Sequence, residues 1–172
     1  MKKTWFVVVA VMLASCGVAK VAVTWDDVYK MIDSGELQSK IDRTINEIGS
    51  DTHPASMVVL QYFDYFMTGD GTKAWEFVKP DSPYGKLVGS AEKLTQSIED
   101  AKKDTQYHSI AIKGISITKK DTNGQRTARV TFILNVTDRV SMKQYDSTGT
   151  YYLLEVNGKW LINDVEKLRE YK

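Results

Sequence analysis

Apolar side chains in the first two thirds of this chain recur at helical spacing, and from Tyr107 onward they alternate with polar ones, so the pattern predicts helices followed by strands. The helical part opens at Thr24, a helix N-cap with Asp27 in capping-box position and Asp26 beside it at the positive helix end. Val28, Met31 and Ile32 share one face, Ser34-Gly35 interrupts, and Leu37, Ile41, Ile45 and Ile48 resume the stripe at helical intervals. These two stretches form a helical extension over residues 25–53, expected to dock on the domain behind it. Gly49-Ser50-Asp51-Thr52-His53-Pro54 is the clearest boundary in the chain, with His53 expected as an exposed loop residue. After it, Val58, Val59, Tyr62, Phe63, Phe66 and Met67 make a broad helical stripe that Gly69 closes as a left-handed cap. Thr72 is expected to open a short helix carrying Ala74, Trp75, Phe77 and Val78, and Pro80 to end it. Ser82-Pro83 restarts the chain as N-cap and N1, and Leu87, Ala91, Leu94, Ile98 and Ala101 predict one long amphipathic helix with a solvated opposite face.

In the last third, Ile110 and Ile112 alternate with polar neighbours, and Gly114 shifts the phase to Ile115 and Ile117, as a bulge does. A turn at Asp121-Thr122-Asn123-Gly124 leads to a strand with Ala128, Val130, Phe132, Leu134 and Val136 on its packed face. A third strand over residues 148–156 is expected to set Tyr152, Leu154 and Val156 on one side. Asn157-Gly158 then turns it into a fourth over residues 160–163. The fold class is therefore α+β: three N-terminal helices packed on one face of an antiparallel sheet of about four strands, preceded by a helical extension.

Residues 1–23 follow another logic. Lys2 and Lys3 head an apolar stretch over residues 5–13, too short for the ~20 residues of a spanning helix, and small residues follow. The ending Leu13-Ala14-Ser15-Cys16 resembles the lipobox of bacterial lipoproteins. That resemblance implies a signal peptide over residues 1–15, lipid on Cys16 and a tether over residues 16–24. The alternative, a plain secretory signal, leaves Cys16 as an odd thiol in an oxidising compartment. Lipid attachment implies a bacterial cell-envelope protein held at a membrane. Because Gly17 stands where an aspartate retains some lipoproteins at the inner membrane, an outer-membrane address facing the periplasm is favoured in a two-membrane cell. In a one-membrane cell the protein sits on the outer face of the cell membrane. Removal of residues 1–15 takes Lys2 and Lys3 and no acids, so 23 basic against 22 acidic residues become 21 against 22. Near-neutrality gives no electrostatic case for nucleic acid. With a single cysteine the core must come from packing.

The pieces P-x-x-x-V-V-x-x-Y-F-x-x-F-x-x-G-D at residues 54–70, K-A-W-E-F-V at 73–78 and V-N-G-K-W-L-I at 156–162 resemble, in order and spacing, the nuclear transport factor 2-like (cone) superfamily, in particular its small bacterial lipoproteins of unassigned function. The resemblance covers roughly residues 54–165 and sets an α+β domain at 54–168. It implies a cone-like, curved sheet wrapped round the helix after Pro54, and a cavity whose mouth binds small molecules or a second subunit. Two departures stand out: an early hairpin shortened to Lys79-Pro80-Asp81, and the extension before Pro54.

The superfamily includes isomerases and dehydratases that use a cavity aspartate or a histidine–aspartate pair. Here His53 lies in the linker, His108 begins the first strand and is able to face a cavity, Asp64 sits off the apolar stripe, and Asp146 lies in a polar, turn-like stretch. None has a neighbour that marks a tuned general base. Two distant histidines and one cysteine offer no zinc spacing, and no glycine-rich phosphate loop appears, so neither metal nor cofactor is expected. Trp75, Tyr84, Tyr107, His108 and Tyr145 are the candidates for a pocket or an interface, with Tyr151 and Tyr152 as further aromatics. The preferred reading is a non-catalytic binding or assembly module for a small apolar ligand or an envelope protein, with homodimerisation through the sheet as one mode. The alternative is a small isomerase, dehydratase or hydrolase using His108 or a cavity aspartate.

Overall fold

The computed structural model describes residues 22–170, with side chains described through residue 166. The signal, Cys16 and most of the tether lie outside the described residues. Among those described, helices come first: α1 (Trp25–Ser34), α2 (Gln38–Ile48), a 3₁₀ turn (Ser50–Thr52), α3 (Pro54–Thr68), α4 (Gly71–Trp75), α5 (Pro83–Val88) and α6 (Ala91–Asp104). Four strands follow, β1 (Thr105–Ile117), β2 (Thr127–Asp138), β3 (Gln144–Val156) and β4 (Lys159–Glu170), paired in chain order as one antiparallel sheet.

Local chemistry sets most boundaries. The Thr24 N–H donates to Asp27 Oδ2 at 3.0 Å, satisfying a free end group of α1, and Gly35 closes the helix at φ +75°. Pro54 takes the first position of α3, where its missing N–H costs nothing, and Gly69 ends that helix at φ +94°. Ser82 Oγ accepts from Gly85 N–H at 2.9 Å and starts α5. Asn157 and Gly158 both have positive φ, the geometry of a two-residue hairpin turn matched to strand twist.

The main core lies between α3, α6 and one face of the sheet: Val59, Tyr62 and Phe63 meet Phe132, Leu134, Tyr151 and Ile162, with Leu94 and Ile98 of α6 completing it. A second, smaller core of Val28, Ile41 and Ile45 packs with Trp25, Met31, Ile32 and Ile48 against Ile115 of β1, and so seats α1 and α2 on the body. An ion pair reinforces that joint. Arg126, buried just before β2, reaches both carboxylate oxygens of Asp33 at 3.0 and 2.5 Å, while its guanidinium lies 4.5 Å from the centre of the Tyr29 ring.

Several expectations need correction. The short helix starts at Gly71, capped by Asp70 rather than Thr72, and ends at Trp75. Phe77 and Val78 leave it because β4 needs hydrogen-bond partners on its open side: Ile162 N–H donates to the Phe77 carbonyl at 2.8 Å and Lys79 N–H to the Ile162 carbonyl at 2.9 Å. The long amphipathic helix is two helices, since Gly89 takes φ +90° and Ser90 caps a new start, leaving Leu87 exposed. Leu37 is likewise exposed at the N-cap of α2 rather than on its buried stripe. On β3 the side that carries Tyr152 is the outer one: Tyr151 and Leu153 face the core, because directly opposed residues share a face and the register sets Tyr151 against Val130 and Leu153 against Ala128. The third and fourth strands are also longer than their apolar runs. The register does shift between Ile112 and Gly114, and it shifts again around His108.

Candidate functional site

A cavity of about 270 Å³ lies between α3, α5 and the sheet. Tyr62, Phe63 and Phe66 form its helical wall, Tyr84 projects from α5, and Tyr107, Phe132, Leu134, Tyr151 and Val165 come from the four strands. The rings fix one another. Phe63 stacks on Tyr151 with centroids 5.8 Å apart and meets Phe132 at 4.9 Å, while Phe66 meets Tyr107 edge to face at 5.2 Å. The polar atoms of the wall are phenols. Tyr62 and Tyr84 hydroxyls share one hydrogen bond of 2.7 Å, and the Tyr151 hydroxyl interacts with both, so the three phenols form one cluster. Burial raises the pKa of Tyr62, Tyr84, Tyr107 and Tyr151 above the ordinary phenol value, most for Tyr62 and Tyr151, so all four are protonated at neutral pH. Glu166 borders the cavity, but its Oε2 is engaged by Arg129 Nη2 and by the Tyr152 hydroxyl, each at 3.4 Å and each on an exposed side chain.

Of the residues singled out in the sequence, Tyr84 and Tyr107 line this cavity. Trp75 and Tyr145 are half-buried against the main core but outside the cavity wall. His108 is exposed at the β1 bulge, its Nε2 2.8 Å from Thr137 Oγ1, and does not enter the cavity. Asp64 is exposed, and Asp146 is exposed on β3 with its Oδ1 accepting from Asn135 Nδ2 at 2.8 Å. Sequence reasoning missed Phe132, Leu134 and Val165 as wall residues, since a strand's inward face reads the same whether it meets a helix or a void. The aromatic stripe on α3 is the signal that pointed toward a wall.

His53 is the plainest reversal. It is fully buried, not exposed, because α1 returns over it. Its Nδ1 accepts from Ala55 N–H at 2.9 Å, so in the neutral ring the proton sits on Nε2, which donates to the Tyr29 oxygen at 2.8 Å. Trp25 and Trp160 press edge-on against the ring, with centroids at 4.5 and 5.4 Å. Burial drops the His53 pKa to about 4 and, together with the Glu155 charge, pushes Tyr29 up to about 12. This cluster joins helix cap to extension. Among the described residues no group of three or more His, Cys, Asp or Glu is arranged to hold a metal ion, and no helix is long and apolar enough to cross a membrane.

The chain matches no protein-family model and no curated protein. Solved structures are similar to part of it. A ketosteroid isomerase-like protein from Erwinia carotovora atroseptica is 12% identical, with 68% of this chain and 94% of that one covered at a TM-score of 0.46. A candidate ketosteroid isomerase from Shewanella frigidimarina is 18% identical, covering 66% and 94% at 0.45. A candidate calcium/calmodulin dependent protein kinase II association domain from Xanthomonas campestris is 17% identical, covering 64% and 84% at 0.44. At these identities and scores nothing of their chemistry transfers to this chain.

Proposed function

We propose that this protein is a non-catalytic binding module of the bacterial cell envelope, held at a membrane by lipid on Cys16 and taking a small, largely apolar ligand into the cavity beside α3. One observation carries the reading: the cavity wall is aromatic and aliphatic, its inward polar atoms are protonated phenols, and its one bordering carboxylate is engaged by Arg129 and Tyr152. Such a wall supplies shape and hydrogen-bond donors and offers no group placed to move a proton. A cavity of about 150 Å³ lined by apolar groups holds benzene, so 270 Å³ has room for a ligand of one or two rings. The cluster of Tyr62, Tyr84 and Tyr151 hydroxyls gives one end of the cavity a polar character that favours a ligand with a hydrogen-bonding group there.

Calorimetric titration with acetophenone and ethylbenzene tests this. Both are expected to bind, acetophenone more tightly, and Tyr84→Phe is expected to erase the preference while keeping the ring. Leu134→Trp, which fills the cavity, is expected to abolish both. Failure of either probe to bind the wild type refutes the ligand reading. The anchor is tested by intact mass and detergent partitioning of wild type and Cys16→Ser expressed in a bacterial host: a lipid-sized mass lost in the variant supports it, and an unmodified wild type overturns it.

A further inference from the structure

The turn between β2 and β3 carries Val140, 84% exposed, and two residues later Met142, 76% exposed. Arg139 and Lys143 flank them, exposed and in no ion pair among the described residues. The turn is not loose. Asp138 Oδ1 accepts from the N–H groups of Val140 at 2.9 Å and Ser141 at 2.7 Å, Asp138 N–H donates to the Lys143 carbonyl at 2.9 Å, and Arg139 N–H donates to the Asp104 carbonyl at the end of α6 at 2.8 Å. Met142 takes φ +58°, a conformation that glycine or asparagine adopts at lower cost, at a place where its side chain packs on little. The turn therefore holds two apolar side chains outward, between two cations, with their ordering already achieved in the free protein.

We propose that this turn docks on a lipid bilayer carrying anionic headgroups, Val140 and Met142 entering the apolar boundary and Arg139 and Lys143 resting among the phosphates. The exposure favours a bilayer over a protein partner: both side chains stand out from the turn, and a fluid surface needs no matching pocket. The charge agrees, since Asp138, the acid of the turn, directs an oxygen inward to backbone N–H groups, and Arg139 and Lys143 outnumber it at the tip, while Lys103 on the adjoining helix is paired with Asp100. The turn continues from strand ends that border the cavity, for Tyr107 of its wall pairs with Val136, and Val136 with Tyr145. Docking thus presents that end of the domain to the phase in which apolar ligands dissolve. The inference rests on the turn alone and stands or falls independently of what the cavity binds.

A site-resolved experiment tests it. In full-length protein carrying Cys16→Ser and Met142→Cys, the single thiol is labelled with an environment-sensitive nitrobenzoxadiazole and titrated with vesicles of phosphatidylcholine alone or with phosphatidylglycerol as three parts in ten. A blue shift with the anionic vesicles is expected. Adding Arg139→Ser and Lys143→Ser is expected to weaken that response about 30-fold, from about one unit of basic-residue attraction at each position. The same label at Thr122→Cys, in the turn at the opposite end of β2, is expected to stay at its aqueous emission, which separates docking of the turn from adsorption through residues 5–13. Near-UV circular dichroism matching the wild type shows that the variants fold. No shift at position 142, an equal shift at position 122, or indifference to loss of the two cations each overturns the proposal.

Discussion

Acidification between pH 7.5 and pH 5 is expected to destabilise this protein through one side chain, His53. The sign follows from its environment. Burial lowers its pKa from 6.5 to about 4 in the folded state, so across this interval the unfolded chain binds a proton that the folded one refuses. Stability is full above pH 6.5, falls as the pH drops, and reaches its floor below about pH 4. The shift corresponds to about 3 kcal/mol in total, of which about 2 kcal/mol is lost by pH 5. Charged groups near the joint are Arg126, Asp26 and Glu155, all acting on Tyr29. Carboxylates held low by partners, such as Asp27, Asp33, Asp70 and Asp138, lose stability only nearer their unfolded values and leave the window clear. The assay is urea unfolding at pH 7.5, 6.5, 5.5 and 5, with His108→Gln in every protein so that His53 is the sole imidazole. His53→Asn keeps a side-chain oxygen for the Ala55 N–H and cannot titrate. It is expected to be less stable than its parent at pH 7.5, having lost the bond to Tyr29, and to show a nearly flat profile. Equal pH slopes in the two proteins refute the reasoning.

Asp33→Ala leaves the buried Arg126 guanidinium without its carboxylate. Because Asp33 is 40% exposed and water replaces part of what is lost, the expected cost is about 1–2 kcal/mol rather than the larger penalty of a fully buried pair, read by thermal or urea unfolding. Faster amide exchange in α1 and α2 than in α3 is expected to accompany it. Gly85→Ala sets a Cβ 2.2 Å from the Lys79 carbonyl oxygen, so a loss of about 3 kcal/mol is expected by urea unfolding, and an unchanged midpoint contradicts the packing described. Phe132→Ala removes a ring between Phe63 and Tyr151 and is expected to cost about 3–5 kcal/mol by the same assay, with ligand binding lost.

Features governed by a few neighbouring residues were legible in the sequence. The Thr24–Asp27 box, the Gly69 cap, the Ser82-Pro83 start, the phase shift at Gly114 and the Asn157-Gly158 hairpin each rest on conformational preferences that act within five residues. Features governed by distant partners were not. His53 reads as a loop residue until α1 folds back over it, and Val78 reads as helical until β4 offers it a backbone partner. The inward side of β3 depends on register against β2, which local alternation does not encode when tyrosines occupy both sides. Tyr84 and Tyr107 were legible as pocket candidates because amphipathic rings suit a half-open wall. Trp75 and Tyr145 share that chemistry, and only the placement of α5 and the strand ends separates them from the wall.

Segment 77–79, which pairs with Ile162, also bears on how copies of this chain behave when crowded. A four-stranded sheet has two edges, and an open edge is a template on which another chain adds a strand. On the β4 side, backbone from residues 77–79 occupies part of that template. On the β1 side, two irregularities, at His108 and before Gly114, break the even row of donors and acceptors that a growing fibre requires. Under the proposed lipid anchoring, copies of this chain meet far more often than they would free in three dimensions. Both borders of this sheet are built so that such encounters do not propagate into strand-on-strand polymer.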